Sequence, residues 1–294
     1  MTKIKRILTL TAIFTAAAIT LSGCKTTDSA VNFYEYEDIL SETGEVMGIN
    51  ITGCSYDIEE IRVPEAIGGK KVLQIGYRRI GESSYQGAFE SCPLSVKRIL
   101  IPEGVEWIYG GAFSNSISIE NIYLPESLIS LGPSNFAYCE GLTDIEIPKN
   151  ITELTGNDFL GCISLEQVTL PEGLTYIGHL TFGSCESLEK IKLPSTVTSI
   201  ETYAFQNCTS LSEISLPDGL LSIGEMAFDG CEKLTDVTVP DTVETIGRDA
   251  FNGCLDIVVH YRGMSYTYPE LFNIYTIPEG DELPEWFIPN METE

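Results

Sequence analysis

Residues 171–193 read PEGLTYIGHLTFGSCESLEKIKL, one copy of a pattern that returns every 23 residues along the chain. Three residue types mark this period in phase with one another. Proline stands at Pro102, Pro125, Pro148, Pro171, Pro194, Pro217 and Pro240. Phenylalanine stands at Phe113, Phe136, Phe159, Phe182, Phe205, Phe228 and Phe251, and cysteine at Cys139, Cys162, Cys185, Cys208, Cys231 and Cys254. A fixed period of this length is the signature of a repeat architecture.

Each 23-residue unit contains two segments that are typical of short strands. Residues 188–193 of the quoted unit alternate between apolar and polar side chains, and the following proline ends the segment. A second extended piece lies around residues 174–177 and commonly ends in Ile-Gly, as at Ile177 and Gly178, where we expect a turn. Between that glycine and the cysteine there is room only for a helical turn or a 3₁₀ segment.

A unit of this size cannot enclose a core by itself, but stacked copies bury a continuous one because each coil covers its neighbour. The sequence therefore predicts a repeat solenoid, mainly β, of about eight coils with short strands and helical or 3₁₀ turns. Ser116 occupies the cysteine position of one unit, and Phe89 and Cys92 show that the unit before it carries a single insertion. Residues at one repeat position should form a ladder along the stack.

The whole pattern, Pro-x-x-Leu-x-x-Ile-Gly-x-x-Ala-Phe-x-x-Cys-x-x-Leu-x-x-Ile-x-Leu, resembles the BspA-type leucine-rich repeat of bacterial surface proteins. Residues 194–216 and 217–239 carry it almost whole, and the resemblance covers residues 46–260. It implies a right-handed leucine-rich-repeat stack and a cell-surface interaction protein, with adhesion to host or neighbouring-cell proteins as the commonest role. It supplies no catalytic residue. The chain departs from the pattern at Pro133 and at residues 77–87, whose enlarged loop is a second candidate site.

The N-terminus has the features of an export signal. Residues 1–23 combine a basic start with an uncharged apolar run over residues 7–21. The run ends in Leu-Ser-Gly-Cys, which resembles the lipobox of bacterial lipoproteins, in which the cysteine is diacylated. Two acyl chains give stable membrane attachment. We therefore expect an extracytoplasmic protein that is lipid-anchored at Cys24 on the membrane surface and touches the membrane through this anchor only. The alternative is a plain secretory signal, or a short membrane anchor, that happens to meet a cysteine.

These features divide the chain into four parts. Residues 1–23 are the signal peptide, 24–45 a lipidated tether and the start of an N-terminal cap, 46–260 the solenoid, and 261–294 a C-terminal cap with an acidic tail. After residue 260 the period fails, and a hairpin with a short helix is expected to close the last coil. An uncapped solenoid would expose its core and a strand edge.

The charge balance excludes one large class of partner. The chain has 17 Lys and Arg against 43 Asp and Glu, a formal net charge of -26, whereas nucleic-acid binding needs a basic face. His179 and His260 are the only histidines, and we expect both at the surface or in a cap. No cofactor, metal site or nucleophile motif is predicted, so the protein is not expected to be an enzyme. The enzymatic alternative is a hydrolase that uses two carboxylates.

The outward positions of the repeat strands form the best candidate binding face, because they flank an inward Ile or Val at period two. The candidate residues are Arg98, Leu100, Tyr123, Asp144, Glu146, Lys190, Lys192 and Glu213. Tyr123 beside Leu100 is the most anchor-like spot. The expected partner is a host or neighbouring-cell surface protein, with a glycan as the second choice. The other interpretation is a solvated sheet face in a structural envelope spacer.

Two further rows of residues can each be interpreted in two ways. The cysteine row is expected to hold buried free thiols that fill one interior position, although disulfides between neighbouring coils are an alternative in an exported protein. The row after the prolines is mostly acidic: Glu65, Glu103, Glu126, Lys149, Glu172, Ser195, Asp218 and Asp241. We expect a solvated edge there, with Ca²⁺ binding as the alternative.

Overall fold

The computed structural model of the protein describes residues 34–54, 58–80 and 84–267. The signal segment, Cys24, part of the predicted tether and most of the C-terminal segment lie outside these residues. The chain divides into two compact units, Met1–Ile151 and Thr152–Glu294, which are described one at a time. Together they contain about nine turns of a mainly β solenoid, which confirms the predicted fold class. None of the described residues belongs to a helix long and apolar enough to cross a membrane.

The described residues of the first unit form twelve short strands. They are β1 (Tyr34–Leu40), β2 (Val46–Cys54), β3 (Glu60–Arg62), β4 (Ala66–Ile67), β5 (Lys70–Ile75), β6 (Tyr77–Arg79), β7 (Tyr85–Gly87), β8 (Arg98–Leu100), β9 (Trp107–Ile108), β10 (Asn121–Tyr123), β11 (Ser130–Leu131) and β12 (Asp144–Glu146). Strands β3, β8, β10 and β12 form one parallel sheet, and β2, β5, β9 and β11 form another. Strand β1 pairs antiparallel with β2 and covers the edge of the second sheet.

The second unit contains the remaining strands of the described chain. They are β13 (Glu153–Gly156), β14 (Gln167–Thr169), β15 (Tyr176–His179), β16 (Lys190–Lys192), β17 (Ser199–Ile200), β18 (Glu213–Ser215), β19 (Ser222–Ile223), β20 (Asp236–Val239), β21 (Thr245–Ile246), β22 (Val258–Tyr261) and β23 (Met264–Thr267). Strands β13, β15, β17, β19 and β21 form a parallel sheet whose register places Ile177, Ile200 and Ile223 side by side. Strand β23 pairs antiparallel with β22, so the predicted hairpin is present, while the predicted short helix lies outside the described residues.

The core of each unit is built around stacked phenylalanine rings. In the first unit the ring centroids of Phe89 and Phe113 are 5.2 Å apart. In the second unit the centroids of Phe182 and Phe205 are 5.2 Å apart, with 13° between the ring planes. These separations are close to the spacing of neighbouring strands, about 4.8 Å, so one ring fits each coil. Every phenylalanine of the row is fully buried, as the ladder interpretation predicts.

The segments between glycine and cysteine are turns and not the helical or 3₁₀ pieces that we expected. In the coil that contains Phe205, the backbone N–H groups alternate between two kinds of acceptor. Ala204 N and Gln206 N donate to carbonyls three residues back, whereas Phe205 N and Asn207 N donate to carbonyls of the next coil. Tyr203 and Asn207 have positive φ, four residues apart, which interrupts any helix. The prediction was wrong because bonds between coils replace the bonds a helix would make.

The glycine of the Ile-Gly pair is required by close approach between coils. A Cβ atom on Gly224 would lie 2.3 Å from Thr202 N, and one on Gly247 would lie 2.2 Å from Glu225 N. Neither glycine has a positive φ. The expected turn begins after the glycine, and the absence of a side chain lets the adjacent backbone pass.

The phenylalanine ladder gives a prediction for stability. Phe182→Ala should lower the free energy of unfolding by about 3 to 5 kcal/mol, because its neighbours on both sides hold the coils apart and leave a cavity. Leu221→Ala is the matched control, since Leu221 lies in the same unit with 46% of its surface exposed, and it should cost little. Denaturant unfolding of residues 24–294 measures both changes. Equal losses in the two variants would contradict a core role for Phe182.

One buried carboxyl group breaks the apolar pattern of the core. Asp158 stands directly before Phe159, at a repeat position where Ala204, Ala227 and Ala250 are found, and it is fully buried. Its Oδ2 accepts a hydrogen bond from Gly156 N at 3.1 Å, while Oδ1 has no partner among the described residues. Burial raises the pKa of Asp158 to about 7. The carboxyl group is therefore kept protonated in the folded chain well above the pKa of an ordinary aspartate.

Asp158→Asn should flatten the dependence of stability on pH. The folded chain holds the Asp158 proton between about pH 4 and pH 7 whereas the unfolded chain has lost it, so this stabilisation is complete below pH 4 and disappears as pH rises through 7. The loss amounts to about 4 kcal/mol. An asparagine does not ionise, and Asn135 is already buried at the equivalent position of another coil. Unfolding measured from pH 4.5 to pH 8 should show a falling stability in the parent chain that the variant lacks; parallel curves would contradict the assignment.

Candidate functional site

The candidate residues of the first unit lie side by side on one sheet. Arg98 and Leu100 are on β8, Tyr123 is on β10, and Asp144 and Glu146 are on β12. Tyr123 pairs in register with Leu100, with 52% of the tyrosine exposed and the leucine half-buried beside it. We call the outward side of these three strands the first strand face. Tyr123 and Leu100 form an apolar patch on this face, and the side chains around them are polar.

The charges of the first strand face are largely paired within the unit. Arg98 Nε lies 3.1 Å from Glu60 Oε2, and its Nη2 lies 3.2 Å from Glu59 Oε1. Asn121 Nδ2 donates to Asp144 Oδ2 at 2.7 Å. Arg98, Asn121 and Asp144 lie in one row in register, next to the apolar patch, and their contacts fix these polar groups in place. Tyr123 is the exposed aromatic side chain that this face offers a partner.

The other three candidate residues lie on the second unit. Lys190 and Lys192 are on β16 and Glu213 is on β18, where Lys190 pairs in register with Glu213. Lys190 Nζ lies 2.6 Å from Glu213 Oε2, and this hydrogen bond raises the pKa of Lys190. Both side chains are two-thirds exposed, so the pair adds little to stability. Lys192 forms no ion pair with any described residue and presents a positive charge to solvent.

The enlarged loop of residues 77–87 is an antiparallel hairpin of β6 and β7, with residues 81–83 outside the description. The rings of Tyr77 and Tyr85 meet edge to face at 4.9 Å. Arg78 is held by the carboxylate of Glu35, at 2.8 and 2.7 Å, and by the side chain of Gln86. The second candidate site is thus an ordered pair of strands that carries exposed tyrosines.

A cleft of about 230 Å³ opens beside this hairpin. Its polar and aromatic lining consists of Glu37, Asn50, Gln74, Tyr77 and Tyr109. Sequence reasoning missed all of these except Tyr77, because the five residues share no single repeat position. One signal was available: Tyr109 follows Ile108 at the position where other coils have glycine, as at Gly224 and Gly247.

The acidic row after the prolines is used for contacts between coils. In the first unit both carboxylate oxygens of Glu103 accept backbone hydrogen bonds from the next coil, from Glu126 N at 3.0 Å and Ser127 N at 3.1 Å. Lys149 Nζ lies 3.5 Å from Glu126 Oε2. Within the described residues, no group of three or more His, Cys, Asp or Glu side chains is arranged to hold a metal ion. Glu103 and Glu126 therefore contribute to contacts between coils.

The cysteine row has a role that the sequence did not reveal. The thiols of Cys208, Cys231 and Cys254 each donate to the carbonyl oxygen of a phenylalanine in the preceding coil, at 3.1 to 3.2 Å. Ser116 Oγ makes the same bond to Phe89 O at 2.6 Å, which explains why serine replaces cysteine there. Burial raises the pKa of Cys139 to about 12, so its thiol keeps its proton. The row consists of hydrogen-bond donors to the core and offers no reactive thiolate.

His260 lies between two polar side chains at the end of the second unit. Its Nε2 is 3.1 Å from Asp236 Oδ2, and its Nδ1 is 2.8 Å from Ser265 Oγ. A nucleophilic serine needs a shielded base and donors for an oxyanion. Here the side chains of Asp236 and His260 are 69% and 41% exposed, so water screens their interaction. We assign the cluster to the pairing of β22 with β20 and β23, and His260 is partly exposed there, where a surface or cap position was expected.

Comparison with known families identifies the repeat. The sequence model described as "BspA type Leucine rich repeat region" matches the chain in six copies, over residues 82–212 and 130–258. These matches cover more than half of the chain. No curated protein shows significant similarity to it.

Several solved structures share the fold. A leucine-rich repeat protein from Bacteroides ovatus ATCC 8483 has a TM-score of 0.56 and 23% identity, covering 80% of this chain and 67% of that one. The T. pallidum Leucine Rich Repeat protein has a TM-score of 0.50 and 26% identity, covering 80% and 91%. A leucine-rich repeat protein from Eubacterium ventriosum ATCC 27560 has a TM-score of 0.50 and 21% identity, covering 67% and 59%. The chain thus spans about three fifths of the last protein.

Proposed function

Because the chain belongs to the BspA-type leucine-rich repeat family, we propose that it is a protein-binding module at the bacterial cell surface. The observation that carries this proposal is the apolar patch of Tyr123 and Leu100 on the first strand face. Tyr123 is half exposed and stands in register with Leu100, on a sheet whose other outward side chains are polar. An exposed tyrosine beside an aliphatic side chain is the kind of anchor that protein interfaces bury.

The partner that suits this face is a folded protein. Three parallel strands offer a flat surface, and flat surfaces gain affinity by burying area around one or two anchors. The polar side chains around Tyr123 would form the rim of such an interface, where they add specificity more than affinity. A glycan remains the second choice, since Asn121 and Asp144 offer polar groups beside the tyrosine ring.

Localisation follows from the lipobox and is part of the proposal. In this proposal Cys24 carries two acyl chains, and this lipid anchor holds the solenoid at the outer side of the membrane. Residues 1–23 carry three basic residues and no acid, so the anchored chain has 14 Lys and Arg against 43 Asp and Glu, a formal net charge of -29. Anionic headgroups repel such a chain, which would keep its strand faces accessible to partners.

The two other functions have weaker support. A structural spacer needs no exposed anchor, so this interpretation gives no role to Tyr123 and Leu100. A hydrolase with two carboxylates needs a pair of acids in one cleft. The cleft beside the hairpin of β6 and β7 is lined by one acid, Glu37, and a second cleft, next to Tyr261, is lined by one acid, Asp241.

The strand-face proposal predicts the effect of removing the anchor. Against a partner found by screening host matrix and neighbouring-cell surface proteins with residues 24–294, Tyr123→Ala should weaken binding by about 1 to 2 kcal/mol. Tyr138→Ala is the matched control, because Tyr138 is an exposed tyrosine of the same unit on a turn, and it should leave affinity unchanged. Reversing the charges of Lys190 and Lys192 should mainly alter the rate of association and its salt dependence. Surface plasmon resonance measures both rates.

The same measurement tests the competing site. If Tyr85→Ala, on the hairpin of β6 and β7, weakens binding while Tyr123→Ala does not, the hairpin carries recognition and the strand-face assignment is wrong.

The anchor is tested by lipid labelling. Cells that express the full chain should incorporate labelled palmitate, and Cys24→Ala should abolish incorporation and leave the chain unprocessed or shed. Ser22→Cys in the Cys24→Ala background is a control for position, since a cysteine two residues early should not restore labelling. Equal incorporation by the parent chain and Cys24→Ala would refute lipidation at this residue.

A further inference from the structure

The cleft beside the hairpin of β6 and β7 has aromatic walls. Tyr77 and Tyr109 contact each other edge to face, with 5.8 Å between ring centroids and 81° between ring planes. Both rings keep more than a third of their surface exposed, which is unusual for a pair of tyrosines that already touch. Tyr109 Oη donates to Gln74 Oε1 at 3.4 Å, so this ring is tied to the floor of the cleft.

The floor of the cleft contains a polar group without a partner. Asn50 is only 6% exposed, and its Nδ2 donates to Glu37 Oε1 at 3.0 Å. A carboxylate can only accept, so this contact fixes which end of the amide faces Glu37. The other end, Asn50 Oδ1, is buried and has no hydrogen-bond partner among the described residues. A buried acceptor of this kind costs free energy until a donor reaches it.

The charge of the cleft is negative. Glu37 is its one charged lining residue, and the lining contains no Lys, Arg or His from the described chain. Two basic side chains on strands β5 and β6 are already paired, Lys70 with Asp38 and Arg78 with Glu35. Burial and the proximity of Tyr77 and Glu37 raise the pKa of Tyr109, so its ring stays neutral and electron-rich at physiological pH.

We propose that this cleft binds an organic cation, an alkylammonium group whose N–H donors reach Asn50 Oδ1 and the Glu37 carboxylate while its alkyl chain packs against Tyr77 and Tyr109. Ammonium groups are attracted to tyrosine faces, and the attraction is strongest where water is excluded. Three N–H donors on one atom satisfy an amide oxygen and a carboxylate together. The volume of about 230 Å³ holds a group of the size of a lysine side chain.

The cation has two sources that share this chemistry: a free small amine, or a lysine side chain of another protein. The site is independent of the first strand face, because its residues lie on other strands. Failure of one proposal therefore leaves the other standing.

The experiment uses residues 24–294 and defined probes. Binding of two cations, n-butylammonium and Nα-acetyl-lysine-methylamide with its free side-chain ammonium, is followed by NMR titration. Nα-acetyl-norleucine-methylamide is the uncharged analogue, and N-acetylglucosamine is the saccharide probe. We expect both cations to bind at least tenfold more tightly than the norleucine analogue. If the two cations bind alike, free amines can fill the site, whereas a tenfold preference for the lysine compound indicates a peptide source.

Two variants connect the binding to the cleft. Glu37→Gln keeps the size of the side chain and an acceptor for Asn50 Nδ2, and it should weaken cation binding about tenfold. Tyr77→Leu removes an exposed aromatic wall without touching the core, and it should weaken binding several-fold even if Glu37→Gln disturbs the fold. Glu146→Gln, which makes the same charge change on the first strand face, is the matched control and should have no effect.

The proposal is overturned by any of three results. The first is that neither cation saturates a site. The second is that the saccharide and the norleucine analogue bind as tightly as the cations. The third is that Tyr77→Leu and Glu146→Gln change cation affinity equally.

Discussion

The fixed step from one coil to the next is the constraint on which this structure depends. Because the regular repeats have 23 residues, the same backbone atoms of successive coils meet, and their hydrogen bonds are made in register, as between Ile177, Ile200 and Ile223. The phenylalanine rings stack at the same step, and the thiol of Cys208 reaches Phe182 O of the preceding coil. Phe89 and Phe113 are 24 residues apart and still stack at 5.2 Å, so one extra residue between them does not break the ladder. The inward positions are therefore fixed by the stack, while insertions and outward side chains are free to vary.

The same step explains what the sequence predicted well. Inward positions such as Leu188, Ile191 and Phe182 recur because each must fill one interior place, and all are buried. The strand at residues 190–192 follows from their alternation. The role of Cys208 was less accessible, since a small buried residue and a buried donor look alike in a sequence. Only the replacement by Ser116, which also donates to a phenylalanine carbonyl, hinted that a hydrogen bond was involved.

The errors have a common physical origin. The turn segments were expected to be helical because a short stretch considered alone satisfies its backbone within itself. In the stack, Phe205 N and Asn207 N donate to carbonyls of the next coil. These hydrogen bonds offset the conformational cost of the positive φ at Tyr203 and Asn207. The cleft residues were missed for a related reason. Glu37, Asn50 and Tyr109 are far apart in the sequence and belong to no repeat position in common, so periodicity carries no information about their meeting.

Both of the clefts described above lie where the repeat is interrupted, and this gives the irregular parts a functional meaning. In regular coils the space between neighbours is filled at a spacing of about 5 Å by rings and backbone, which leaves no room for a ligand. One cleft opens where a hairpin interrupts the first unit and Tyr109 replaces a glycine, and the other lies beside the hairpin of β22 and β23. A regular stack can offer partners only a flat face such as that of Tyr123. A concave site for a small group therefore has to be built from the caps and insertions, where side chains from separate parts of the chain converge.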